Sequence, residues 1–187
     1  MYSLLIDTHL NMITIILYLN GVVKNIEVEE STSGHSEKAM PMIDLMLKKS
    51  NINPTDLSEI LVINGPGSFT GVRIGVTIAK TLAFSLNIPI KVMSALLIKA
   101  ICLQDEKAVY INDKNGYYIA TFDENNSLVG HCQYLSNKEV DLNMLNNPQD
   151  IDYNLVYQHS KKIAPTNPHL VKPLYIKKIQ AENDKKS

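Results

Sequence analysis

The stretch INGPGSFTGVRIGVTIAK, residues 63–80, constrains the fold more than any other part of this chain. An apolar run ends at Ile63, the backbone turns through Gly65-Pro66-Gly67, and Gly71, Gly75, Ala79 and Ala83 then recur every four residues. That spacing places them on one slowly drifting helical stripe that carries no large side chain, along which a neighbour can approach closely. Glycine inside a helix costs about 1 kcal/mol relative to alanine, and Gly75 accepts that cost in mid-helix, so close packing is the natural compensation. The neighbour is either a helix of another chain or the methionine-rich helix of the same domain, and the spacing alone leaves both open. Arg73, Thr77 and Lys80 fall on another face, with Val72, Val76 and Leu82 as apolar contacts. The turn has two readings as well. A helix N-terminus offers free N–H groups and partial positive charge to an anion, with Gly65, Gly67, Ser68, Thr70 and Gly71 as contacts. Alternatively, Ser68 or Thr70 simply caps the helix. The spacing is neither GxxxxGK[ST] nor GxGxxG, and Pro66 has no N–H to give, which favours the cap.

Ahead of this stretch the chain reads as a meander. Ser3–Ile6, Ile13–Leu19 and Val22–Val28 are β-branched and apolar, and Asn20-Gly21 is a strong hairpin signal. SEKAMPMIDLMLKKS follows, with Met42, Leu45, Met46 and Lys49 at helical spacing and Pro41 about one turn in, where it removes a donor and bends the helix. Asn53–Glu59 is a turn or short helix before the strand Ile60–Ile63, and the second helix runs over roughly Thr70–Ser85. The order β-β-β-α-β-α closes a first lobe over 1–100. Ile88–Val92 adds a strand and Ser94–Leu103 a helix. Val109–Ile111, Tyr117–Phe122 and Leu128–Leu135 then make a mostly β second lobe over 101–187, which Leu155–Tyr157 and Leu174–Ile176 are expected to close before a solvated tail, AENDKKS. The fold class is α/β.

Composition narrows the chemistry. With 18 Lys and Arg against 19 Asp and Glu, the chain has no basic field to drive nucleic-acid binding by itself. Cys102 and Cys132 show no metal-ligand spacing, and His9, His35, His131, His159 and His169 form no HxxxH or HExxH pair, so no tight metal site is expected. The N-terminus has no leader pattern and no run approaching a membrane span is read, which points to the cytoplasm. Asp7, at the end of the first strand, is the one acidic residue placed to join an anion or metal site; a turn former is the plainer reading. His35 reads as a helix-entry residue, and Met40, Met42 and Met46 as core fillers that also suit an adaptable interface.

NGPGSFTGVRIGVTIAKTLA at 64–83, HSEKAMPMID at 35–44 and LLIDT at 4–8 together resemble the TsaB (YeaZ) family through about residue 100. The resemblance implies an actin/Hsp70-like (ASKHA, ribonuclease H-like) fold of two lobes with the second reduced. It also implies a non-catalytic subunit of the machinery that places threonylcarbamoyl on N6 of adenosine 37 in tRNAs reading ANN codons. The chemistry would belong to a paralogue, TsaD, with an ATPase, TsaE, joining the assembly. By the same likeness, the helices over His35–Lys49 and Thr70–Phe84 would form the TsaD interface, through His35, Met42, Met46, Thr70, Gly71, Arg73, Ile74, Gly75, Ile78, Ala79 and Leu82. No cofactor would bind tightly, ATP or ADP entering only in the complex, and tRNA would be met only through it. Without TsaD the exposed apolar helix pair is expected to self-associate as a homodimer. Ile111-Asn112-Asp113-Lys114 departs from the family's Ile-Asp-Ala-Arg, and PLYIKK at 173–178 carries lysine for its closing arginine. The competing reading is an ASKHA-type ATPase or peptidase-like hydrolase acting alone through Asp7 and the turn 65–71; the missing phosphate-loop spacing and metal pair favour the scaffold.

Overall fold

The structure is a computed structural model that describes residues 1–30, 34–103, 107–141, 145, 147–148 and 150–176. Three antiparallel strands, β1 (Tyr2–Asp7), β2 (Met12–Leu19) and β3 (Val22–Glu30), open the chain. The tight link between β2 and β3 works because Asn20 and Gly21 take φ of 52° and 85°. β4 (Leu57–Ile63) inserts parallel to β1, and β5 (Ile90–Met93) lies parallel to β4, giving the order β3-β2-β1-β4-β5. β1 is thus central, and the alternation of its side chains serves two cores at once. Leu4 and Ile6 face α1 (His35–Lys49) and α2 (Phe69–Leu86) in one apolar cluster. Leu5 joins Ile16, Leu61 and Ile63 in a second cluster on the opposite face.

That second cluster also contains α3 (Ala95–Ile101) and residues of the smaller antiparallel sheet, β6 (Lys107–Asp113), β7 (Gly116–Phe122) and β8 (Leu128–Ser136), in that order. The division expected at residue 100 therefore falls inside a helix whose buried side chains, Ala95, Leu96, Ile98 and Ala100, share the apolar cluster that joins the two sheets.

The end of the chain differs from expectation. Leu155–Tyr157 is not a strand but part of α4 (Tyr153–Ser160). Asp152 starts that helix by accepting the N–H groups of Asn154 and Leu155, and the buried positions Val156, Tyr157 and Ser160 follow helical, not alternating, spacing. α4 packs on the first sheet, with the Tyr157 ring 4.7 Å from that of Tyr18. Leu174–Ile176 closes no sheet either. The segment returns to the first lobe: Thr166 pairs with Ile90, Asn64 Nδ2 donates to Lys172 O at 3.0 Å, and Leu174 N–H donates to Asn64 O at 2.7 Å. Residues 168–175 thereby form a strap beside α2. The AENDKKS tail lies outside the described residues.

A four-sided polar bolt spans the larger sheet and α4. Glu59 on β4 accepts from Tyr157 Oη at 2.8 Å and Ser3 Oγ at 2.9 Å and pairs with Lys91 Nζ at 3.1 Å, although it is only 6% exposed. Burial pushes its pKa up, but the hydrogen bonds from Tyr157, Lys91 and Ser3 outweigh that and hold it below the usual carboxylate value.

Pro41 lies inside α1, which nonetheless runs unbroken over 15 residues. One expectation about length also changes: by length and composition α2 is apolar enough to cross a membrane. Its buried face, Val72, Val76, Ala79 and Ala83, lies instead in the core formed with the larger sheet, the position of a core helix in a two-layer α/β lobe.

Candidate functional site

α1 buries Ala39, Met42, Ile43, Met46 and Leu47, the i, i+3, i+4, i+7, i+8 set of an amphipathic helix. His35 opens the helix at 7% exposure, its ring Nε2–H donating to Leu10 O at 3.0 Å, so it ties α1 to the β1–β2 loop. α2 starts at Ser68, whose Oγ accepts the Gly71 N–H at 3.2 Å, and ends with Asn87 in the left-handed conformation at φ 53°.

The two glycines of the small-residue stripe meet Thr8 of the β1–β2 loop, while Ala79 and Ala83 lie in the apolar cluster that also holds Met42 and Met46 of α1. Thr8 Oγ1 donates to Gly71 O at 2.7 Å, and a Cβ built on Gly75 would collide with that same Oγ1. A Cβ on Gly71 would collide with the Thr8 carbonyl oxygen. Helix propensity is given up here so that α2 can touch the end of β1. Six of the residues expected at a partner interface are accordingly buried within this chain: His35, Met42, Met46, Gly71, Gly75 and Ala79.

Of the other five, Thr70 and Arg73 are exposed, Ile74 is half-buried, and Ile78 and Leu82 are half-buried and pack against the core cluster. Ser36 and Met40 of α1 join Arg73, Ile74, Thr77 and Ile78 around a shallow groove between the two helices. Large apolar side chains are exposed on the same two helices: Met40 is 43% exposed, Leu45 49%, Phe69 45% and Phe84 64%. Sequence reasoning passed over Leu45, Phe69 and Phe84 as contacts, although Phe69, Arg73 and Thr77 lie four residues apart on one side of the helix. The strap orders part of the face. Arg73 Nε–H donates to Tyr175 Oη at 2.7 Å while its guanidinium lies 3.9 Å from the centre of the Phe69 ring, and Lys80 Nζ donates to Val171 O at 3.1 Å. Two aromatic rings and a hydrogen bond thus hold one cation in place in the middle of an apolar surface.

The Gly65–Gly71 turn is closed around its own chain. Ser68 N–H donates to His9 O at 2.7 Å, and the same carbonyl occupies the space where a Cβ of Gly67 would stand. Two of the amides an anion would use, those of Ser68 and Gly71, are therefore taken. Asp7 is not directed to this turn: its Oδ1 accepts both the Nδ1–H of His9 and the His9 backbone N–H, the latter at 3.1 Å. Among the described residues no group of three or more His, Cys, Asp or Glu side chains is placed to hold a metal ion.

Residues 15–112 match the family model described as TsaD, tRNA N6-adenosine threonylcarbamoyltransferase. The tRNA threonylcarbamoyladenosine biosynthesis protein TsaB of Bacillus subtilis is 58% identical over 62 residues, 33% of this chain and 27% of its own. That of Escherichia coli is 36% identical over 100 residues, covering 54% and 43%. The chain thus spans less than half the length of either relative. Among solved structures, YeaZ from Pseudomonas aeruginosa superposes with a TM-score of 0.75 at 19% identity, over 93% of this chain and 99% of that one. The likeness shows a shared two-lobed fold.

Proposed function

The chain belongs to the TsaD family of sequences, on its TsaB (YeaZ) branch, and from that premise we propose that it is a non-catalytic subunit in the synthesis of threonylcarbamoyladenosine in tRNA. In this reading it binds a TsaD-type paralogue, TsaE joins the assembly, and tRNA and any ATP or ADP are met only in the complex. The work would take place in the cytoplasm, where the tRNA is.

The observation that carries the reading is the outer face of α1 and α2. Met40, Leu45, Phe69 and Phe84 of α1 and α2 are each more than 40% exposed, and Met40 lines a groove together with Ile74 and Ile78. Contiguous apolar surface rimmed by polar residues marks a protein-binding site. Arg73, held by Phe69 and Tyr175, adds a preorganised cation of the kind that anchors interfaces. The hydrolase alternative finds less support, since the Ser68 and Gly71 amides are engaged within the chain and Asp7 is engaged by His9.

The test is affinity for the TsaD protein of the same organism. Ile74→Asp and Ile78→Asp place a charge on the groove while leaving the buried stripe intact, and each should weaken binding about tenfold or more, which corresponds to about 1.4 kcal/mol. Ile74→Asp should remain folded, and Ile78→Asp, whose side chain also packs against the core cluster, is compared with it at equal folded fraction. Binding at the wild-type level by both would remove the interface from α2. Light scattering on the free protein is expected to show a homodimer that the same substitutions convert to monomer. Reconstitution with TsaD and TsaE should show tRNA modification that depends on this chain, with no turnover by the chain alone.

A further inference from the structure

A recess of about 440 Å³ lies between α2 and the strap, with Arg73, Thr77 and Lys80 of the helix and Lys172 and Tyr175 of the strap among its walls. It adjoins the groove between α1 and α2, because Arg73 and Thr77 border both. Three of its side chains are cations at neutral pH, and among the described residues no Asp or Glu lines it. Among the described residues no carboxylate pairs with any of the three either.

Contacts within the chain fix these charges without neutralising them. Arg73 spends its Nε–H on Tyr175 Oη at 2.7 Å and lies 3.9 Å from the centre of the Phe69 ring, which leaves its two terminal NH2 groups without a partner among the described residues. Lys80 Nζ donates to Val171 O at 3.1 Å and to His169 O at 3.4 Å, carbonyls that orient the ammonium and leave its charge in place. The Lys172 side chain is exposed on an anchored backbone, since Asn64 Nδ2 donates to Lys172 O and Leu174 N–H donates to Asn64 O. Like charges gathered at one recess repel one another, and cations held in position with open donors are preorganised for an anion.

A guanidinium fork takes a carboxylate or a phosphate through two parallel hydrogen bonds. The surroundings favour carboxylates carried by a protein. A partner that covers the groove lined by Met40, Ile74 and Ile78 also meets Arg73 and Thr77, and so reaches the edge of the recess. A nucleic acid has no apolar surface to set against that groove. The Arg73 guanidinium already covers one face of Phe69, where a base would stack, and 18 basic against 19 acidic residues supply no long-range field for phosphates.

We propose that the protein seated on the α1–α2 groove carries an acidic segment into this recess, with one carboxylate in the Arg73 fork and at least one more at the ammonium groups of Lys80 and Lys172. The inference rests on the reading that a TsaD-type protein binds that groove, and it adds the chemistry of the contact.

The test is the affinity of the full chain for the TsaD protein of the same organism. Lys172→Glu reverses an exposed charge and leaves the Asn64 contacts, which are to backbone atoms, intact. It should weaken binding about tenfold or more in about 0.1 M salt, and the gap from wild type should narrow in about 1 M salt, where screening shortens from about 10 Å to about 3 Å. Lys161→Glu, the same reversal at an exposed residue beside α4, should bind as wild type. Wild-type affinity in Lys172→Glu, with Ile74→Asp weakened, overturns the acidic segment and leaves the partner reading standing. Wild-type affinity in Lys172→Glu, Ile74→Asp and Ile78→Asp alike removes both. Equal weakening by Lys161→Glu and Lys172→Glu would mark a general effect of net charge and overturn the proposal. So would transfer RNA bound by the free chain and lost in Lys172→Glu while affinity for TsaD is unchanged, which would assign the recess to phosphates.

Discussion

Gly75→Ala separates packing from helix propensity. On propensity alone the change should stabilise α2 by about 1 kcal/mol. The structure cancels that gain or outweighs it. An ideal Cβ at residue 75 falls on Thr8 Oγ1, far inside the roughly 3.5 Å at which non-bonded contacts turn attractive. Either α2 moves off β1 or the Thr8 hydroxyl turns away and gives up its 2.7 Å bond to Gly71 O. Overpacking costs about 1–3 kcal/mol and a lost buried hydrogen bond about 1 kcal/mol. Set against the propensity gain, the net runs from about zero if only the hydroxyl turns to a loss of about 2 kcal/mol if α2 moves. For a domain of this size each kcal/mol lowers the melting temperature by roughly 2–4 °C. Thermal and urea unfolding of wild type, Gly75→Ala, Thr8→Ala and the double variant measure it. Because Thr8 Cβ and Cγ2 stand 3.5 and 3.6 Å from the new Cβ, at ordinary contact, removing Oγ1 should relieve the clash. The double variant should be more stable than the sum of the single changes by about 1 kcal/mol or more, the coupling expected of touching residues. A Gly75→Ala protein more stable than wild type by the full propensity gain, or additive single changes, would refute the account of why glycine stands there.

Gly67→Ala should be worse tolerated than Gly75→Ala, since its Cβ meets the backbone carbonyl of His9 and no side-chain rotation can yield; urea midpoints of the two variants give the order. Glu59→Gln should lower the melting temperature at neutral pH. The folded-state pKa of Glu59 lies below its unfolded value, so its ionised form contributes stability above the ordinary carboxylate pKa and loses it as pH falls through the folded value. The gap between Glu59→Gln and wild type should therefore close in acid, and a gap that stays constant with pH would show that the charge is not what matters. Tyr175→Phe removes the hydroxyl that accepts from Arg73 while keeping the ring beside Phe69, so stability should change by less than about 1 kcal/mol, as exposed polar contacts do. Affinity for the TsaD-type partner should fall measurably, because Arg73 is then free to leave its position, and an unchanged affinity would show that the strap plays no part in ordering the face.

The sequence by itself determined what depends on short-range periodicity and turn chemistry. The three-strand meander with its Asn20-Gly21 turn, the helices α1 and α2 and the Ser68 cap all follow from residues within one or two turns of each other, and the motif at 64–83 carried the family. Tertiary structure decided what each face touches. A four-residue stripe reports that Gly71, Gly75 and Ala79 share a side; it carries no information on the neighbour, and for the two glycines the neighbour proved to be Thr8, more than sixty residues away in the chain. For the same reason Met42 and Met46 could read equally as interface or as core until the sheet was placed against them. Leu155–Tyr157 is too short a run for alternation to be told from helical spacing, and only the buried triplet Val156, Tyr157 and Ser160 settles it. The strap that holds Arg73 and Lys80 joins residues from distant segments, and long-range proximity of that kind exists only once the chain has closed on itself.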